Sequence, residues 1–151
     1  MNVDVVTATF IARPRDEVAA FAANPDNAPT WYENITSAEW RSRPPLTAGS
    51  RVAFVAHFLG RQLAYTYDIV AYEPGERLVM RTAEGPFPME TTYTWMTVDG
   101  GTRMTLRNSG TPAGFSRLLA PFVAMAMRRA NRKDLAKLKQ LLERRTTSAD
   151  R

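Results

Sequence analysis

The sequence predicts an α+β fold. A seven-stranded curved antiparallel sheet is expected to wrap one long C-terminal helix, with two short helices after the first strand. Three observations predict it. Pro112 to Arg145 is the only stretch long and periodic enough for a major helix. Six segments between Thr36 and Ser109 read as strands joined by short turns, which requires antiparallel pairing. One further alternating segment stands at the N-terminus, separated from the rest by residues with helix-start chemistry.

Val3 to Ala12 alternates and is rich in β-branched residues, so it is the first strand. Arg13-Pro14-Arg15-Asp16-Glu17 then opens a helix. Proline suits the first turn, and the two acids suit the N-terminal end of the helix dipole. Val18, Phe21 and Ala22 give it a buried side, and Asn24-Pro25 stops it. A second short helix runs from Pro25 or Asp26 to about Tyr32, with Trp31 as its anchor. Strands follow at Thr36–Arg43, Gly49–Leu59, Gln62–Tyr72, Arg77–Ala83, Met89–Val98 and Thr102–Ser109. Turns fall at Gly60-Arg61, Glu73-Pro74-Gly75-Glu76 and Asp99-Gly100-Gly101, where proline, glycine and Asp-Gly have their usual places.

In the long helix, Leu118 to Met127 is apolar at every position and reads as buried nearly all round. Its stripe is Phe115, Leu118, Leu119, Phe122 and Ala126. The second half has another stripe, Leu135, Leu138, Leu141 and Leu142, more than roughly a quarter turn away. One straight helix cannot aim both at one partner, so a bend or break is expected at Pro121. Eight basic and two acidic residues lie between Arg128 and Arg145, although the whole chain carries only +5. Arg129, Arg132, Lys133, Lys137 and Arg144 share the outer side. They form either a solvated face or a contact for an anionic surface, with Arg129, Arg132, Lys133 and Lys137 the contacting group. The helix has no aromatic residue after Phe122, so no specific nucleic-acid partner is expected.

At 151 residues the chain suits a single domain, 1–145, with a flexible polar tail at 146–151. There is no cysteine and one histidine, His57. Disulfides, thiolate chemistry and histidine-based zinc clusters are thereby excluded, and no metal or cofactor is expected. The first ten residues lack secretory character, so a cytoplasmic location is expected.

Several landmarks coincide along residues 3 to 143. They are Arg13-Pro14, Trp31, Leu46-Thr47-Ala48-Gly49-Ser50 and Tyr72-Glu73-Pro74-Gly75-Glu76-Arg77-Leu78. Gly100-Gly101-Thr102-Arg103 and Leu138-Lys139-Gln140-Leu141-Leu142-Glu143 complete the set. With this element order, the chain resembles the START and polyketide-cyclase (SRPBCC) superfamily, which has the helix-grip fold shared with plant pollen allergens. The resemblance implies a hydrophobic cavity between sheet and helix, and a function of small-molecule binding. A polyketide cyclase, aromatase or dehydrase activity is the alternative. The superfamily's oxygenase branch needs histidine ligands and an iron–sulfur domain, and the chain has neither. A chaperone-activator role is a partner-binding alternative.

By strand alternation, the sheet contributes Phe54, Phe58, Leu63, Tyr65, Tyr67 and Met80 to the expected lining. Met89, Tyr93, Trp95, Met104 and Leu106 follow, and the helix adds Phe122. The lining would suit a small hydrophobic partner, whether lipid, aromatic or polyketide-like. A cavity of roughly 300 Å³ or more is expected, whereas a filled core would use the same residue types. Tyr65, Tyr67 and Asn108 are candidates for stabilising an enolate. Arg107, Asp68, Glu90 and His57 fall on the outward register, which weakens each as a catalytic group. Monomer and homodimer are both compatible with the apolar run.

Overall fold

The computed structural model describes residues 3–84, 88–110 and 120–149. Its elements, in order, are β1 (Val3–Ile11), α1 (Arg15–Ala23), a 3₁₀ turn (Pro25–Asn27), α2 (Ala28–Trp31), β2 (Ile35–Trp40), β3 (Arg51–Phe58) and β4 (Arg61–Glu73). Then come β5 (Arg77–Glu84), β6 (Met89–Val98), β7 (Gly101–Gly110) and α3 (Ala120–Ala149). The strands form one antiparallel sheet in the order β1-β7-β6-β5-β4-β3-β2. Register shifts between Ile35 and Ser37, and at two places in the β4–β5 pair, bend and twist it as bulges do. This is the sheet-and-helix arrangement that the alternation and turn signals predict, and it is the helix-grip fold that the resemblance implies.

The β3–β4 turn is Leu59-Gly60, one residue earlier than expected. Phe58 pairs with Arg61, and both turn residues have positive φ, 51° and 76°. A two-residue hairpin of that hand matches the strand twist, and here leucine takes a position that glycine or asparagine usually fills.

The inner register is Val52, Phe54, Ala56 on β3, Tyr67 and Ile69 on β4, Thr91, Tyr93, Trp95 on β6 and Met104, Leu106, Asn108 on β7, all buried. On the outer side, opposite charges pair across strands. Arg51 meets Asp68 at 2.8 Å, Arg81 meets Glu90 at 2.8 Å, and Arg107 meets Asp4 at 2.7 Å. The outward placement of Arg107, Asp68 and Glu90 is therefore structural, and His57 is exposed.

The long helix corrects three expectations. Described from Ala120, it is continuous to Ala149, with no break after Pro121. Residues 112–119, including Phe115, Leu118 and Leu119, lie outside the described residues. The run is also not buried all round, since Phe122 and Met125 are 65% and 63% exposed. Val123, Met127, Asn131, Asp134, Leu135, Leu138 and Leu142 are the buried positions. At 100° per residue they fall within an arc of roughly 120°, so no bend is needed. Phe122 sits almost opposite that arc. A helix resting on one sheet has one covered side, and large apolar residues on the other side stay in solvent. The helix also continues past Thr146, into the stretch expected as a tail, because no breaker intervenes.

The C-terminal half of α3 is fastened to the end of β1. Glu143 Oε2 accepts from the Ala12 N–H at 2.9 Å, and Lys139 Nζ donates to the Phe10 carbonyl at 2.7 Å and to Glu143 at 2.7 Å. Beneath this end Leu135, Leu138 and Leu142 join Ile11, Trp95, Met104 and Leu106 in the main core. The space between helix and sheet is filled there and open further toward the helix start.

Candidate functional site

A half-enclosed cavity of about 150 Å³ lies between the sheet and α3. It is smaller than the expected roughly 300 Å³, because the leucines of α3 fill one end of the space. Phe54 and Phe58 from β3, Leu63, Tyr65 and Tyr67 from β4, Met80 from β5, and Met89 and Tyr93 from β6 line it. Trp95, Met104 and Leu106 do not; they point inward but belong to the filled end. Phe122 is on the solvent side of α3 and takes no part. Asn108 lines the cavity beside Thr91.

The aromatic rings pack on one another. Tyr65 lies 5.7 Å from Phe54 and 5.1 Å from Tyr67, and Trp31 beneath the lining is 4.1 Å from Tyr32 and 5.8 Å from Tyr93. Two polar groupings interrupt this apolar wall. In one, the Thr91 hydroxyl donates to Asn108 Oδ1 at 2.6 Å, which leaves the Tyr67 hydroxyl, 2.7 Å away, to donate to Thr91. Tyr67 and Asn108 thus form a relay through a threonine rather than two free groups. In the other, the Tyr32 and Tyr93 hydroxyls meet at 2.5 Å, and Asp134 of α3 is near enough to raise both of their pKa values and that of Tyr65.

Asp134 is 2% exposed, and its Oδ1 accepts from the Glu33 N–H at 3.0 Å. Burial pushes its carboxyl up to about 6, the Glu33 backbone hydrogen bond opposes that shift, and the nearby Glu33 charge adds to it. Asn131, one turn earlier, is 4% exposed, and its Nδ2 has no hydrogen-bond partner among the described residues. Burial also raises the hydroxyls of Tyr32, Tyr65, Tyr67 and Tyr93, with Tyr67 at about 12, so these groups are neutral donors at ordinary pH. The arrangement offers one titratable acid, several hydroxyls and a free amide inside apolar walls.

Residues 2–143 match the family described as polyketide cyclase / dehydrase and lipid transport. The chain belongs to that family. No curated protein sequence matches it. Among solved structures, the protein TTHA0849 from Thermus thermophilus is similar, with a TM-score of 0.79 at 22% identity over 91% of this chain and 94% of that one. The Zhui aromatase/cyclase from Streptomyces sp. R1128 has a TM-score of 0.82 at 15% identity over 97% and 96% of the two chains. Major latex-like protein 151 from Panax ginseng has 0.71 at 13% identity over 92% and 96%. At these identities the neighbours establish the shared fold. Among the described residues, no helix of this family member is long and apolar enough to cross a membrane.

Sequence reasoning missed Tyr32, Asn131 and Asp134. A signal for the last two was present. Both polar residues fall within the buried arc of α3, between Met127 and Leu138, but the arc emerges only once Phe122 is left out of it. Tyr32 closes a four-residue helix, too short to reveal a face.

Proposed function

We propose that the protein binds a small apolar molecule about the size of one aromatic ring in the cavity between the sheet and α3. The supporting observation is the cavity itself, about 150 Å³, half-enclosed and lined by aromatic, aliphatic and methionine side chains. An apolar cavity of roughly this volume accepts benzene in another protein. The size favours an aromatic ligand over an extended lipid or poly-β-ketone chain. Native mass spectrometry of the purified protein, followed by solvent extraction, is expected to yield an apolar molecule or an apo protein that takes up added single-ring compounds. An apo mass that no such compound changes would refute this reading.

A second reading, a cyclase/dehydrase-type activity, is favoured by one observation: Asp134, raised to about 6, lines the same cavity as Tyr32, Tyr65 and Tyr93. Such an acid could take a proton from the carbon next to a ketone while a tyrosine hydroxyl donates to the forming enolate oxygen. Tyr65 is the proposed donor; the Tyr67 hydroxyl is committed to Thr91, through which it is tied to Asn108. Deuterium exchange into the α-carbon of 4-phenyl-2-butanone, followed by NMR, should be accelerated by the protein and lost in Asp134→Asn. No acceleration by the wild type would remove the reading.

The outer side of α3 is a further proposed contact, for an anionic surface. Arg129, Arg132, Lys133 and Lys137 are all exposed, and none is in an ion pair among the described residues. Co-sedimentation with anionic vesicles should then fall with salt and with charge reversal at Arg132, Lys133 and Lys137. A cytoplasmic location, as monomer or homodimer, fits these readings.

A further inference from the structure

We propose that the cavity selects a single-ring molecule carrying a protonated amine, and that Asp134 holds the amine. The inference rests on the ligand-binding reading above and specifies its chemistry. Asp134 is 2% exposed and receives one hydrogen bond, from the Glu33 N–H. A carboxylate has about four acceptor positions, so most of its capacity faces the cavity unused. Among the described residues, no lysine or arginine lines that cavity. Lys137, one turn along α3, is exposed and helps to hold Asp134 ionised only from a distance.

An ionised acid in such a place lacks a countercharge, which is costly in an apolar interior. A ligand can remove that cost in one of two ways. A hydroxyl supplies a hydrogen bond and leaves the charge unbalanced. An ammonium supplies hydrogen bonds and the missing charge together. The walls favour the second choice, because the aromatic residues Phe54, Tyr32, Tyr65 and Tyr93 line the cavity, and aromatic rings attract cations. An anionic ligand would meet Asp134 with no cation among the described lining residues to offset it.

The groups facing Asp134 are Tyr32 from the end of α2, Tyr65 from β4 and Tyr93 from β6, with Glu33 and Lys137 adding their charges. His57 sits exposed at the rim. Burial keeps the tyrosines neutral, so Asp134 is the inner group whose charge changes near neutral pH.

The test is calorimetric titration with 2-phenylethylamine, 2-phenylethanol and 3-phenylpropionate, which share one ring and differ in the polar end. At about pH 8 the amine should bind about tenfold or more tighter than the alcohol, and the carboxylate weakest. At about pH 5 Asp134 is mostly protonated, and amine affinity should drop about tenfold while the alcohol changes little. Asp134→Asn keeps the shape and the acceptor for Glu33. It should abolish the amine preference at both pH values, with near-UV circular dichroism confirming the fold. Equal binding of alcohol and amine to the wild type, or a preference that survives in Asp134→Asn, would overturn the inference and leave the ligand-binding reading intact. If none of the three binds, both fail.

Discussion

Asp134 stands where the phase of α3 calls for a leucine, and its environment makes that choice measurable. Its carboxyl is raised to about 6, so the folded protein holds the proton more tightly than the unfolded chain. The sign follows directly. Relative to a neutral side chain, Asp134 costs nothing well below the ordinary carboxylate range, and its penalty grows as pH rises through about 6. Asp134→Asn is therefore expected to be more stable than the wild type at about pH 8, by up to about 3 kcal/mol, with the gap closing below about pH 4. Urea denaturation at several pH values checks this, and a pH-independent difference would contradict it. Tyr67 acts differently. Its hydroxyl completes a buried relay through Thr91 to Asn108, so Tyr67→Phe should cost about 1 kcal/mol at any pH below the tyrosine range.

The strands were legible in the sequence because their signal is local. Alternation in β3, β4, β6 and β7 assigned Phe54, Tyr67, Tyr93 and Leu106 to the inner side, and all four are buried. The same logic sent Arg107, Asp68 and Glu90 outward, where each has an opposite charge beside it. The helix was less legible, because its apolar run offers several faces and only contact with the sheet selects one. The stripe drawn at 100° per residue included Phe122, whereas the sheet selects Val123 and Met127. A pair of variants makes the difference visible. Leu138→Ala, at 0% exposure, should cost about 2–5 kcal/mol, whereas Phe122→Ala should stay within about 0.5 kcal/mol. Equal losses would mean that the outer face of α3 is covered in solution.

At the scale of the molecule, sheet and helix together decide what no single element shows. The sheet supplies a continuous inner wall from β3 to β7, and the sequence read that whole wall as cavity lining. The helix divides it. Its leucines close the space over Trp95, Met104 and Leu106, and its Met127, Asn131 and Asp134 leave the other part hollow and polar at one point. Strand periodicity says which side a residue faces. It does not say how far along that side the partner helix fills the space, and so the cavity volume fell outside its reach. The proposal on which the others depend is that this hollow holds a single-ring molecule. Its most direct test is a ¹H–¹⁵N NMR titration with 2-phenylethanol, which carries no charge to bias the result. Saturable shifts concentrated at Tyr32, Tyr65, Tyr93, Asn131 and Asp134 are the expected result. Shifts that never saturate, or that gather on the outer face of the sheet around Arg81 and Arg107, would contradict it.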